Sequence, residues 1–323
     1  MKAVFAGGFS ALLAEPVRGK LAVPCAVGLA DDGDLPGLAD ADVLVATVFS
    51  AAMAAAAPAL KLVQVPGAGV DMVDFASVPA GVQVANVFGH ETGIAEYVIG
   101  AMIALSRRFA RMDADLRRGV WYSQFAADGA VPPAQSELMG KTLGILGFGH
   151  IGQELAKRAA AFGMRVCAIR QNPQGDPPPG VAFVGGPERL DEVIAAADHL
   201  VVTMPSNDQT RGLLDARRLG LMKPGAFLVN VARADIIDEA ALYEVLADRR
   251  IAGAALDVWY RYPSGPGETM PSAKPFHTLD NVLLTPHASG WTQGMLDARA
   301  ALIAENIART ARGEPPLNAV GGI

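Results

Sequence analysis

Thr142-Leu-Gly-Ile-Leu146 runs directly into Gly147-Phe148-Gly149-His150-Ile151-Gly152, and this order of residues decides how the larger part of the chain folds. An uncharged apolar run of this length reads as a strand buried on both faces. It is followed by glycines spaced G-x-G-x-x-G, then by a stretch in which Ile151, Leu155 and Phe162 would share the inner face of a helix. Strand, glycine turn and helix start, in that order, form a cradle for the pyrophosphate of a dinucleotide. Gly147 permits the tight turn, Gly149 lets the backbone approach the pyrophosphate, and Gly152 allows close packing of helix on strand. The helix start adds N–H groups and partial positive charge.

Downstream of this motif, Arg165–Ile169 and residues 199–203, 227–231, 254–258 and 282–285 read as further strands, with helical intervals between most of them. They predict a doubly wound parallel sheet. Upstream, Lys2–Ala6 and residues 42–47, 61–65 and 82–86 alternate with Ala-rich stretches and predict a first βα series. Ile94, Val98, Met102 and Leu105 recur at helical spacing and give a long helix connecting two domains. Met295, Leu302, Ile303 and Ile307 mark a last helix, free to return to the first domain and make it discontinuous. Residues 172–180 carry four prolines and form an irregular connection. At 323 residues the chain exceeds what one hydrophobic core supports. The expected α/β domains are residues 1–96 with 291–323, and residues 97–290.

A composition 51% hydrophobic and 19% charged excludes a mainly disordered chain, and a net charge of -6 argues against nucleic acid or an anionic membrane as partner. Cys25 and Cys167 match no zinc spacing or disulfide framework. With no segment reading as a signal peptide or membrane span, a cytoplasmic protein is expected. No metal site is expected, because no two histidines stand at ligand spacing with a carboxylate between.

Three side chains carry the chemistry. Arg170 lies eighteen residues after Gly152, at the end of the second strand, where an NAD-preferring site would hold a carboxylate for the ribose 2′-OH. A guanidinium there suits a 2′-phosphate, so NADP is expected over NAD. Arg233 in VNVARADIIDE and His287 in NVLLTPHASG stand at strand ends. A cation to orient a carboxylate and an acid/base to handle a hydroxyl proton are what hydride transfer to a small anionic acid requires.

With VPGAGVDMVD, HETGIAEYVIGAMIALSRR, ELMGKTLGILGFGHIG, MPSNDQTRGLLDA, KPGAFLVNVARADIIDEAAL, GAALDVW and LDNVLLTPHASGWT in sequence, the chain resembles the D-isomer-specific 2-hydroxyacid dehydrogenase family over nearly its whole length. The resemblance implies two doubly wound parallel-sheet domains: a discontinuous flavodoxin-like substrate domain and a Rossmann dinucleotide-binding domain. It also implies a homodimer that interconverts small 2-keto acids and D-2-hydroxy acids, such as glyoxylate or hydroxypyruvate and their products. Arg233 then matches the substrate-carboxylate arginine and His287 the general acid/base. The turn at Ala68 and Gly69 offers N–H groups to the carboxylate. His150 and Ile151 match the pyrophosphate contacts, and Met204, Pro205, Thr210, Val231, Ala232, Asp257, Ser289 and Gly290 match positions around the ribose and nicotinamide. The same fold serves formate- or phosphite-oxidising enzymes and non-catalytic dinucleotide-sensing modules, which stand as alternatives.

Two positions depart from the family pattern. Five residues after Asp257, where most members carry the Glu that pairs with the catalytic histidine, stands Tyr262. A phenol brings no negative charge, so His287 is expected to work near its ordinary value, roughly 6.5, with reduction fastest on the acid side of neutral or with Tyr262 contacting substrate. Glu268 in the same loop is the competing partner for His287. His90 replaces the usual Asn of the substrate pocket.

Overall fold

The computed structural model describes residues 1–31, 33–126, 129 and 131–321, so residues 322–323 at the end of the expected first domain lie outside the described residues. It resolves into two compact units, Met1–His90 with Trp291–Ile323, and Glu91–Gly290.

The first unit begins β1 (Lys2–Ala6), α1 (Gly8–Arg18), β2 (Ala26–Ala30), β3 (Val43–Ala46), α2 (Ala51–Ala56), β4 (Leu62–Gln64) and β5 (Gln83–Ala85). The strands pair in parallel in the order β2-β1-β3-β4-β5. Alternation along the strands sends Phe5, Val43, Val45 and Leu62 to one core and Val4, Leu44, Ala46 and Val63 to another, so both faces of the sheet are covered.

The second unit contains α3 (Glu91–Ser106), α4 (Phe109–Leu116), β6 (Thr142–Leu146), α5 (His150–Ala161), β7 (Arg165–Ile169), β8 (Val181–Gly185), α6 (Leu190–Ala196), β9 (His199–Val202), α7 (Ala216–Leu219), β10 (Phe227–Asn230), α8 (Glu239–Ala247), β11 (Gly253–Leu256) and β12 (Val282–Leu284). Its parallel sheet of seven strands runs β12-β11-β10-β9-β6-β7-β8. The units divide at His90 and Glu91, not at residues 96 and 97. The physical reason is that α3 belongs from its first turn to the second core: Ile94, Ala95, Val98 and Met102 are buried with Leu143 and Ile145 of β6 and Leu155 of α5.

The last helix, α9 (Gln293–Ala311), returns to the first unit and buries Ala300, Ile303, Ala304 and Ile307 in the core of β1, β3 and β4. A polar clamp fixes it there. The Asn306 carboxamide donates to Gln64 Oε1 (2.7 Å) and accepts from the Leu317 N–H (2.7 Å), while Gln64 donates to the carbonyls of Val65 and Ala85. Both side chains are fully buried, and this pairing satisfies them.

Candidate active site

All strand pairs of the seven-stranded sheet are parallel, so the segments that follow β6, β7, β9, β10, β11 and β12 emerge at one edge, the edge where open α/β sheets bind ligands. The glycine turn leaves β6 there. Gly147 has φ 109°, and a Cβ added to it would lie 2.5 Å from Met204 N and 2.7 Å from Met204 Cα. A Cβ at Gly152 would lie 2.6 Å from the Gly147 carbonyl oxygen, which already accepts from the Thr203 hydroxyl at 2.7 Å. Around Gly149, by contrast, a Cβ would meet nothing within 4 Å. Gly149 is also the residue that starts α5 without any side-chain cap. Two glycines of the motif are thus required by close packing and the third opens onto space. One expectation fails: Phe162 is 43% exposed, because α5 ends at Ala161 and its inner face is made by Gly152, Leu155, Ala156 and Ala159.

Arg170 follows the last residue of β7 and is exposed, with its N–H held by the Gly185 carbonyl (2.9 Å). Past β9, the half-buried Met204 leads to Pro205, whose carbonyl accepts from the Thr210 hydroxyl at 2.8 Å. Val231 and Ala232 are buried past β10. His150 and Ile151 open α5.

The chemical groups follow β10, β11 and β12. Asn230 ends β10, donates to the Arg233 carbonyl (2.9 Å) and accepts from the Ala232 N–H (3.1 Å), so one buried carboxamide shapes the turn that presents Arg233. Asp257, fully buried after β11, accepts from Thr285 Oγ1 (2.6 Å), the Ala288 N–H (2.8 Å) and the Ser289 N–H (2.9 Å). The carboxylate thereby holds the loop that runs from β12 through His287 to Ser289 and Gly290. His287 has φ 55°, a left-handed conformation costly for a residue with a Cβ and sustained here by the Asp257 bonds on the next two residues.

Tyr262 Oη lies 2.7 Å from His287 Nδ1, and the Trp259 N–H donates to the same phenol oxygen at 3.3 Å. Tyr262, not Glu268, is therefore the partner of the imidazole, and its oxygen contacts His287. Burial pushes the His287 pKa below its ordinary value, with Asp257 opposing the shift and the Arg233 charge reinforcing it. Burial raises the Tyr262 pKa, countered by the Trp259 N–H and the Arg233 charge, while Asp257 adds to the rise. Arg233, Tyr262, His287 and Asp257 thus form one electrostatic group on the second unit. Sequence reasoning missed Trp259, Thr285 and Tyr97. The Trp259 indole donates to the Thr285 carbonyl (2.8 Å), and Tyr97 Oη lies 2.7 Å from Thr285 Oγ1. Adjacency of Trp259 to Asp257 was the available signal.

Ala68, Gly69 and His90 lie in the first unit. The Ala68 carbonyl accepts from Asn86 (2.8 Å), Gly69 is exposed, and His90 is half-buried at the end of the unit's first segment. Among the described residues no group of three His, Cys, Asp or Glu could hold a metal ion, and no helix is long and apolar enough to cross a membrane.

Residues 99–289 match the family model described as D-isomer specific 2-hydroxyacid dehydrogenase, NAD binding domain. The chain is 36% identical to a D-3-phosphoglycerate dehydrogenase of Methanocaldococcus jannaschii over 92% of its own length but only 55% of that protein, so it spans about half the length of such relatives. It is 36% identical to a hydroxypyruvate reductase of Thermotoga maritima, over 78% of this chain and 79% of that one. Among solved structures, an NADPH-dependent glyoxylate/hydroxypyruvate reductase from Sinorhizobium meliloti, in complex with citrate, superimposes with a TM-score of 0.82 at 26% identity over 99% of this chain and 97% of that one. The family model covers more than half of the chain, and the chain belongs to the D-isomer specific 2-hydroxyacid dehydrogenase family.

Proposed function

We propose that the protein is an NAD(P)-dependent oxidoreductase interconverting small 2-keto acids and D-2-hydroxy acids. The observation that carries this reading is the gathering of Arg233, His287 and the open glycine turn at one edge of a parallel sheet. The relatives named dehydrogenases and reductases support it over a non-catalytic binding module.

The residues present fit a dinucleotide. The uncapped start of α5 and the empty space beside Gly149 suit a pyrophosphate held by Gly147, Gly149, His150, Ile151 and Gly152. Met204, Pro205, Thr210, Val231, Ala232, Asp257, Ser289 and Gly290 would line the ribose and nicotinamide. When bound, the nicotinamide supplies or accepts the hydride. Arg233 binds the substrate carboxylate through its planar fork and offsets negative charge growing on the reacting oxygen. His287 holds or gives the proton at that oxygen through Nε2, since Nδ1 is engaged by Tyr262. By the resemblance, Ala68, Gly69 and His90 are assigned to substrate binding.

Exposed Arg170 favours NADP, by a guanidinium on the 2′-phosphate. We also infer a homodimer, supported by exposed apolar side chains concentrated at Phe109, Leu116, Val120, Trp121, Phe125 and Val131. Cytoplasmic location fits the two cysteines, which are unbridged.

The test is a panel of 2-keto acids with NADPH and with NADH, followed at the reduced nicotinamide absorbance and by chiral analysis of product. Turnover to a D-2-hydroxy acid, with kcat/KM higher for NADPH, is expected. An Arg170→Ala variant should lose most of that preference while keeping NADH turnover. Absence of product with every acid refutes the reading, and preference for NADH refutes the assignment of Arg170.

A further inference from the structure

We propose that the proton delivered to the substrate oxygen comes from Tyr262, relayed through a neutral His287 in a paired transfer from phenol to Nδ1 and from Nε2 to substrate. This rests on the dehydrogenase reading and deepens it.

The polarity of the contact carries the argument. The phenol oxygen accepts from the Trp259 N–H at 3.3 Å and lies 2.7 Å from His287 Nδ1, and in the relay its own hydrogen is given to the lone pair of Nδ1. A phenol donating to Nδ1 goes with the neutral tautomer that carries its proton on Nε2, the nitrogen left for substrate. A carboxylate at position 262 would do the reverse, accepting from Nδ1 and favouring a charged imidazolium. The charged groups facing the pair are Arg233 and Asp257, opposite in sign, and Asp257 is committed to Thr285 Oγ1 and the N–H groups of Ala288 and Ser289. Desolvation and the Arg233 charge both lower the imidazole's pKa, which favours its neutral form.

The step balances without an imidazolium. As the keto carbon is reduced, the carbonyl π pair moves to oxygen, which takes the Nε2 proton while Nδ1 takes the phenolic proton. A phenolate is a weaker base than an alkoxide, so the transfer runs downhill although burial raises the phenol's pKa, a rise that the Trp259 N–H and the Arg233 charge oppose. The pair resets when Nδ1 returns its proton to the phenolate and Nε2 takes one from water. Tyr262 is 50% exposed and His287 is exposed, so solvent reaches both.

The consequence reverses the expectation of an acid optimum. Reduction should stay level from about pH 6 to 9, because no titrating imidazolium is needed. Tyr262→Phe removes the relay and leaves only protonated His287 as acid. Because the imidazole's pKa lies below its ordinary value, the variant's rate at pH 8 should be at least about tenfold below wild type and should approach wild type as pH falls. Tyr262→Glu should restore the rate near neutral pH but with a tenfold fall per unit above its imidazole pKa. The second readout needs no turnover: imidazole 15N shifts in the ligand-free protein should show the Nε2–H tautomer of His287, lost in Tyr262→Phe. A bowed dependence of kcat on deuterium fraction would report two protons in flight. A wild-type rate that falls tenfold per unit above pH 6.5, a Tyr262→Phe profile parallel to wild type, or an Nδ1–H tautomer overturns the relay while leaving the dehydrogenase intact. No product from any 2-keto acid at any pH overturns the dehydrogenase reading and the relay with it.

Discussion

Gly147 and Gly149 stand two residues apart in the same turn, yet alanine should do opposite things at each. At Gly147 the added Cβ meets two backbone atoms of Met204 at 2.5 and 2.7 Å, and φ is 109°. Backbone strain of about 1–3 kcal/mol adds to overpacking of about 1–3 kcal/mol, for a loss of roughly 2–6 kcal/mol against a typical total of about 5–15. At Gly149 nothing lies within 4 Å and the backbone is extended, so stability should change by less than about 1 kcal/mol, with a small gain from the stiffer unfolded chain. The methyl would instead stand in the space proposed for the pyrophosphate. Urea unfolding of both variants, paired with NADPH titration by fluorescence, separates the two effects. Gly147→Ala should unfold at markedly lower denaturant. Gly149→Ala should unfold with wild type while binding NADPH at least tenfold more weakly. Wild-type NADPH affinity in Gly149→Ala, or equal destabilisation of both, would refute the reasoning.

Arg233→Gln should lower kcat/KM by roughly 150-fold, the equivalent of about 3 kcal/mol for one oriented charge donor, and Arg233→Lys should recover only part of it because the planar fork is lost. Equal kcat/KM in Arg233→Gln would remove it from the site. His199 is buried at the start of β9, stacked on Phe227, and desolvation holds its pKa down to about 4, against which Asp198 pulls upward. Because the unfolded imidazole binds its proton near 6.5, stability tied to His199 is complete above that pH and drains away as pH falls to about 4, by about 3 kcal/mol. Chemical denaturation from pH 7 to 4 should show this slope in wild type and a shallower one in His199→Asn, whatever the variant's overall stability. Identical slopes would show that His199 takes up no extra proton on unfolding.

The sequence was most legible where both faces of a strand are buried. β3, β9 and β11 are buried at every position, and apolar runs announce them, with His199 at the start of β9 the one polar residue among them. β2 and β8 lie at sheet edges and are half exposed, and Ala26–Ala30 and Val181–Gly185 are short apolar runs holding a glycine and preceded by proline, so they were not foreseen as strands. The prolines ahead of β8 masked it further. In the active site, single positions after strand ends were readable because chain direction fixes where they emerge. The phenol–imidazole contact was readable only as a missing carboxylate. The Trp259 N–H that also meets the phenol oxygen was not readable at all, because no residue pattern encodes where a main-chain donor points. Phe162 misled because helical spacing says nothing about where a helix stops.

The return of α9 to the first core has a consequence for biogenesis. Val43 and Phe5 leave the ribosome long before Ile303 and Ile307, the side chains that cover them. Loop closure across so much chain is slow, whereas Glu91–Gly290 contains every strand of its own sheet and its covering helices. The middle of the polypeptide is therefore poised to fold during synthesis, while the opening ninety residues wait with one apolar sheet face covered by α1 alone. That interval is when a chaperone has most to protect, and when a stalled or truncated translation product would be most prone to aggregate.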